Sequence, residues 1–113
     1  MSVQTISATD FCNLFNSNKD MCCIDVRTNE EFNALHVKGV SCRPLHIISS
    51  NDIETSAKQK NLADKDPIYL ICQKGTRAKM AAEALQGAGL ENIVCVSDGG
   101  MQRWTDMGWP VAK

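Results

Sequence analysis

Three short apolar runs constrain the fold more than anything else in the chain: Met21-Cys22-Cys23-Ile24-Asp25-Val26, Ile68-Tyr69-Leu70-Ile71-Cys72 and Ile93-Val94-Cys95-Val96. Each is nearly continuous rather than alternating, the pattern of strands buried on both faces of a parallel sheet. Around them the apolar spacing changes to that of helices. Ser7 to Asn16 places Phe11, Leu14 and Phe15 on one face, with Ser7 or Thr9 able to cap. Thr28 to Leu35 opens with Thr28 and Glu31 spaced as a capping box over Phe32 and Leu35. Gly75 to Ala88 sets Ala78, Ala81, Ala82 and Leu85 on one stripe and ends at Gly87 and Gly89. A last helix, from about Met101 to Met107, stops at Gly108 before Pro110. Strands alternating with helices predict an α/β fold with parallel strands and right-handed crossovers. Sites in such sheets open at the carboxyl ends of strands. The stretch from His46 to Asp66 is polar, with Ile47, Ile48, Ile53, Ala57 and Leu62 as its regular apolar anchors, and has the least defined pattern.

A length of 113 residues and a 43% apolar fraction suit one core of ordinary size, and no repeat or linker divides the chain, so residues 1–113 are expected to form a single domain. Twelve basic and thirteen acidic residues are interspersed, leaving no extended positive field for nucleic acid or anionic lipid. No run of about 18 apolar residues occurs, and Met1-Ser2-Val3-Gln4-Thr5 has no signal-peptide pattern, so a soluble cytoplasmic protein is expected. In that setting the six cysteines read as reduced thiols. No Cys-x-x-Cys pair or clustered His spacing is present, and no metal is expected.

One cysteine stands apart. Cys72-Gln73-Lys74-Gly75-Thr76-Arg77 lies where a buried strand ends and the longest helix begins. Backbone N–H groups at a helix start lack intrahelical partners, and the helix dipole adds partial positive charge, so a thiol there is favoured as thiolate. Gly75 lets the chain curl so that amides converge, and Lys74 and Arg77 add two cations. Such a loop can cradle a thiolate, a persulfide or a departing oxyanion. A strand-terminal cysteine taken alone is more often a core residue. Gly, Lys and Arg clustered on the helix side of Cys72 reverse that reading.

This segment resembles the Cys-x-x-Gly-x-Arg active-site loop of single-domain rhodaneses. Ile24-Asp25-Val26-Arg27 with Glu31-Phe32 is similar to the first signature of that family, and His36 with Gly39 matches its Gly-His-x-x-Gly segment. Asp98-Gly99-Gly100, Trp104 and Gly108-Trp109-Pro110-Val111 are similar to its last signature. Leu35 stands where a glycine usually precedes the histidine, Val40 where alanine is usual, and Cys42-Arg43-Pro44 where Asn-Ile-Pro is common. The resemblance implies a five-stranded, mainly parallel sheet with helices on both faces. It also implies a sulfurtransferase in which Cys72 carries a persulfide and the amides of Gln73, Lys74, Gly75, Thr76 and Arg77 line the pocket. Its substrates would be a small anionic sulfur donor, such as thiosulfate or a persulfide, and cyanide or a thiol acceptor, with protein donors or acceptors also open. No cofactor is implied.

For the remaining polar residues structural roles are expected. By the resemblance Lys74 and Arg77 are candidates for steering or holding an anionic donor; equally, the guanidinium fork of Arg77 suits a buried pairing with a carboxylate such as Asp25, and Arg27 with Glu31 suits a second pair bracing the sheet edge. His36 is expected to be a hydrogen-bonded structural residue, because transfer to a thiolate needs no base. Cys42 is the candidate resolving thiol, Arg43 a further cation at the mouth or an ordinary surface residue, and Trp104 and Trp109 core aromatics. Two other function classes share these residues. A cysteine-dependent phosphatase or arsenate reductase has a longer loop, with five residues between Cys and Arg rather than the four here. A partner-loaded sulfur carrier would use the same nucleophile.

Overall fold

The computed structural model describes residues 3–17, 21–42, 44, 67–87, 89–90, 92–97 and 99–113. Arg43, Ala88, Asp98 and the stretch from His46 to Asp66 lie outside them. In chain order the elements are β1 (Gln4–Ser7), α1 (Ala8–Ser17), β2 (Cys22–Asp25), α2 (Asn29–Ala34), β3 (His36–Val37), β4 (Ser41–Cys42), β5 (Ile68–Ile71), α3 (Thr76–Gly87), β6 (Ile93–Ser97), α4 (Gly100–Asp106) and β7 (Val111–Ala112).

Strands β1, β6, β5, β2 and β4 form one parallel sheet in that order, as the α/β pattern predicts. The three apolar runs are its three central strands, and β2 and β5 are buried along their whole length. Successive side chains point to opposite faces, so each run feeds two cores. Cys23, Tyr69, Ile71, Val94 and Val96 pack against Phe11 and Phe15 of α1 and Met101 and Trp104 of α4. Cys22, Ile24, Leu70, Cys72 and Cys95 pack against Ala78, Ala81, Ala82 and Leu85 of α3. The small side chains of that stripe let α3 lie close on the sheet, which carries its first turn to the end of β5.

Edge strand β1 is half exposed and was not legible as an apolar run. Its last residue, Ser7, caps α1: Asp10 N–H donates to Ser7 Oγ at 3.1 Å. The capping box of α2 forms as read, with Glu31 N–H on Thr28 Oγ1 at 3.2 Å and Thr28 N–H on Glu31 Oε1 at 3.2 Å. Helix α3 closes with Gly89 N–H on Gln86 O and Leu90 N–H on Leu85 O, where Gly89 takes φ +101°. Strands β3 and β7 make a separate antiparallel pair, His36 opposite Ala112. No helix among the described residues is long and apolar enough to cross a membrane.

Candidate active site

The central strand β5 ends at Ile71, and the next residue, Cys72, is only 1% exposed. The chain then turns through Gln73, Lys74 and Gly75 into α3, and Gly75 N–H comes back onto Cys72 Sγ at 3.0 Å. A helix start leaves amide donors unpaired, and here one of them is aimed at sulfur. Gly75 adopts φ +107°, in the region that disfavours any side chain, with the backbone of Ser97 on β6 directly beneath. Its carbonyl accepts Lys79 N–H at 3.0 Å and the Cys95 thiol at 3.8 Å.

The other wall of the loop is the start of α4. Met101 N–H donates to Cys72 O at 2.8 Å and Gln102 N–H to Gln73 O at 2.9 Å. Gly100 makes this approach possible: a Cβ at that position would stand 2.3 Å from Cys72 O. Gly100, read in the sequence only as part of a signature, is therefore a packing requirement of the Cys72 loop.

Two arginine–carboxylate pairs brace the site, and their partners are the reverse of the sequence expectation. Arg27, not Arg77, binds Asp25: Arg27 Nε lies 3.0 Å from both carboxylate oxygens and Nη2 lies 2.9 Å from Oδ2. Asp25 ends β2 fully buried, and Arg27 two residues on folds back over it, its own N–H also on Asp25 Oδ1 at 3.0 Å. Arg27 Nη2 also reaches Leu35 O, and Nη1 donates to Gln73 Oε1 at 3.3 Å. Arg77, in the first turn of α3, instead meets Glu31 in the first turn of α2, with Nη1–Oε1 at 2.6 Å and Nη2–Oε2 at 2.9 Å. Asp25 pairs with the arginine two residues away and Glu31 with one across the fold, which a pairing by residue type alone does not reveal. The hydrogen bonds from Arg77 hold the Glu31 carboxyl down at about 2, and the same bonds push the Arg77 guanidinium up.

Of the loop cations, Lys74 is exposed and, among the described residues, is not tied to a carboxylate. Thr76 is exposed at the start of α3. His36 Nδ1 lies 2.7 Å from Phe32 O, and its ring stacks on Phe32 at 3.7 Å. Trp104 is buried, with Nε1–H on Pro110 O at 2.9 Å, and Trp109 packs edge-on against it.

Burial pushes Cys23 well up, with Asp25 adding to the effect, and pushes Cys95 up to about 11, with Cys72 adding to it. Cys42 lies opposite Asp25 on β4, two strands from Ile71, which is about 10 Å by inter-strand spacing. That exceeds the roughly 7 Å of Cα separation a disulfide spans. Cys42 Sγ–H instead reaches Arg27 O and Asn29 Oδ1 at 3.6 and 3.5 Å. Among the described residues no three His, Cys, Asp or Glu side chains gather as metal ligands.

A parallel α/β sheet with a cysteine just past the carboxyl end of its central strand, and the Gly75 amide of the following turn on its sulfur, defines a class of cysteine-loop proteins. The family model described as Rhodanese-like domain matches residues 7–107, and the chain belongs to that family. It is 33% identical over 104 residues to a "Putative sulfur carrier protein YrkF" of Bacillus subtilis, covering 92% of this chain and 52% of that one. It is 30% identical over 102 residues to an "Adenylyltransferase and sulfurtransferase UBA4" of Meyerozyma guilliermondii, covering 89% of this chain and 23% of that one. The chain thus spans about half the length, or less, of these curated relatives. Among solved structures, a rhodanese-related protein of Thermoplasma volcanium superposes with TM-score 0.68 at 30% identity, covering 96% of this chain and 97% of that one.

Proposed function

We propose that the chain is a sulfurtransferase that carries sulfane sulfur on Cys72. The observation that carries this reading is the Gly75 amide at 3.0 Å from Cys72 Sγ, at the mouth of α3 in a rhodanese-like fold. In the loading step the Cys72 thiolate attacks the outer sulfur of thiosulfate. A Cys72–S–S⁻ bond forms, the sulfur–sulfur bond of the donor breaks, and sulfite leaves with its electron pair. In the unloading step cyanide, or a thiolate, attacks the terminal sulfur, thiocyanate or a new persulfide departs, and the Cys72 thiolate returns. The amides that hold a thiolate also hold the persulfide anion, so no general base is required.

Of the two cations of the loop, both among the described residues, Lys74 is the one left to draw in an anionic donor, since Arg77 is paired with Glu31. A reducing, cytosolic setting suits a chain whose six cysteines form no disulfide with one another. A partner-loaded carrier is the second reading, favoured by the likeness to the sulfur carrier protein named in Bacillus subtilis. Thiocyanate release from thiosulfate and cyanide tests the choice. Multiple turnovers, abolished by Cys72→Ser, support the enzyme; a single equivalent per chain supports the carrier; none from thiosulfate or small persulfides rejects the enzyme and leaves the partner-loaded carrier or the phosphatase reading.

A further inference from the structure

The α4 start does more than cap two loop carbonyls. Gln73 Nε2 donates to Gln102 Oε1 at 3.3 Å, and Gln102 Nε2 donates to Asp106 Oδ1 at 3.0 Å. On its other side Gln73 Oε1 accepts from Arg27 Nη1 at 3.3 Å. The chain of bonds therefore runs Asp25, Arg27, Gln73, Gln102, Asp106, from a fully buried carboxylate to an exposed one. Its two ends fix its direction. A guanidinium has only donors, so the Gln73 oxygen must face Arg27 and its nitrogen must face α4. An ionised carboxylate only accepts, so the Gln102 nitrogen must face Asp106 and its oxygen must face Gln73. Neither amide can flip without breaking two bonds.

We infer that Gln102 is a positioning residue for the Cys72 loop, acting through the Gln73 side chain. Gln73 is the first residue after the nucleophile, and it is held twice by the same α4 residue: its carbonyl by Gln102 N–H and its side chain by Gln102 Oε1. With the side chain parked between Arg27 and α4, the backbone from 73 to 75 is fixed in the curl that brings Gly75 N–H to Cys72 Sγ. An exposed residue two positions into a seven-residue helix thus sets the geometry of the loop.

The inference rests on the sulfur-transfer reading for its kinetic readout, and thiol labelling provides one that does not. Gln102→Met removes the acceptor at an exposed position, and Gln102→Glu, made together with Asp106→Asn so that position 106 donates instead of repelling, keeps one facing Gln73. With Met, the kcat for sulfur loading from thiosulfate falls roughly fivefold, the scale of one neutral hydrogen bond, while KM stays within about twofold and the melting temperature is unchanged. With Glu, kcat returns to within about twofold of the parent. Iodoacetamide labelling of Cys72 in the same proteins slows with Met and recovers with Glu. Parental rates for the Met variant in both assays, or a Glu variant as slow as Met, overturn the inference. If the parent loads no sulfur yet labelling shows the Met–Glu contrast, the positioning role stands and the sulfur-transfer reading falls.

Discussion

Replacing Gly100 by alanine tests the contact on which the loop is built. A Cβ at that position stands 2.3 Å from Cys72 O and 3.3 Å from both Cys72 C and Gln73 O, all backbone atoms that cannot rotate away. The residue also has φ +46°, a left-handed conformation that costs a side-chain-bearing residue about 1–2 kcal/mol. Moving backbone to relieve the overlap adds about 1–3 kcal/mol, as for an overpacked core. Gly108 separates the two costs, because it has φ +70° and nothing within 4 Å of its would-be Cβ. Gly108→Ala should therefore lose about 1 kcal/mol and Gly100→Ala about 3–4 kcal/mol, a large share of a small domain's stability. Urea unfolding of parent and both variants measures this. With a slope of about 1–3 kcal/mol/M the midpoints of the two variants should differ by roughly 1 M. The shift from Gly100→Ala should come with a loss of sulfur loading, because Met101 N–H can no longer sit 2.8 Å from Cys72 O. Equal midpoints for the two variants would refute the close approach of α4 to the loop.

Other expectations follow from the paired charges and the thiols. Arg27→Met leaves Asp25 fully buried without its cation and should cost about 3–5 kcal/mol, whereas Arg77→Met at a pair about one-third exposed should cost about 1 kcal/mol or less; urea unfolding with similar losses for the two would contradict the pairing. The Glu31 carboxyl is lowered from 4.5 to about 2, so its pairing stabilises the fold above about pH 4.5 and that contribution fades as pH falls through 2. Glu31→Gln should therefore lose up to about 1 kcal/mol at pH 7, after discounting for exposure, and close on the parent in acid; a constant gap from neutral pH down to about pH 2 would count against it. Near pH 7.5, iodoacetamide should label Cys72 well before Cys23 and Cys95, the thiols that burial pushes up; equal rates across the six cysteines would remove the case for an anion cradle.

The fold was legible where burial is two-sided. Runs such as Ile68 to Ile71 leave few readings besides a central parallel strand, and the alanine stripe of α3 shows which helix lies close on the sheet. The capping box of Thr28 and Glu31 was legible because its chemistry is local. Strands β1, β3, β4 and β7 are short and partly exposed, so their pairing comes from the tertiary frame rather than from their own pattern. In the site, Cys72 and Gly75 could be read from their place at a strand-to-helix junction. The arginine partners could not, since Asp25 and Glu31 are chemically equivalent until Arg27 folds back on its near neighbour. Gln102 gave no signal at all. An exposed glutamine in a short helix becomes informative only once Arg27 and Asp106 fix the direction of the hydrogen bonds through it.

The central claim is that Cys72 holds sulfur. Intact-protein mass spectrometry after incubation with thiosulfate, and again after cyanide, tests it directly when run beside Cys72→Ser. The parent is expected to gain one sulfur atom, mapping to Cys72, which cyanide removes as thiocyanate, while the variant stays unchanged. Sulfur gained equally by parent and variant, or none gained from thiosulfate or any persulfide donor, would contradict it.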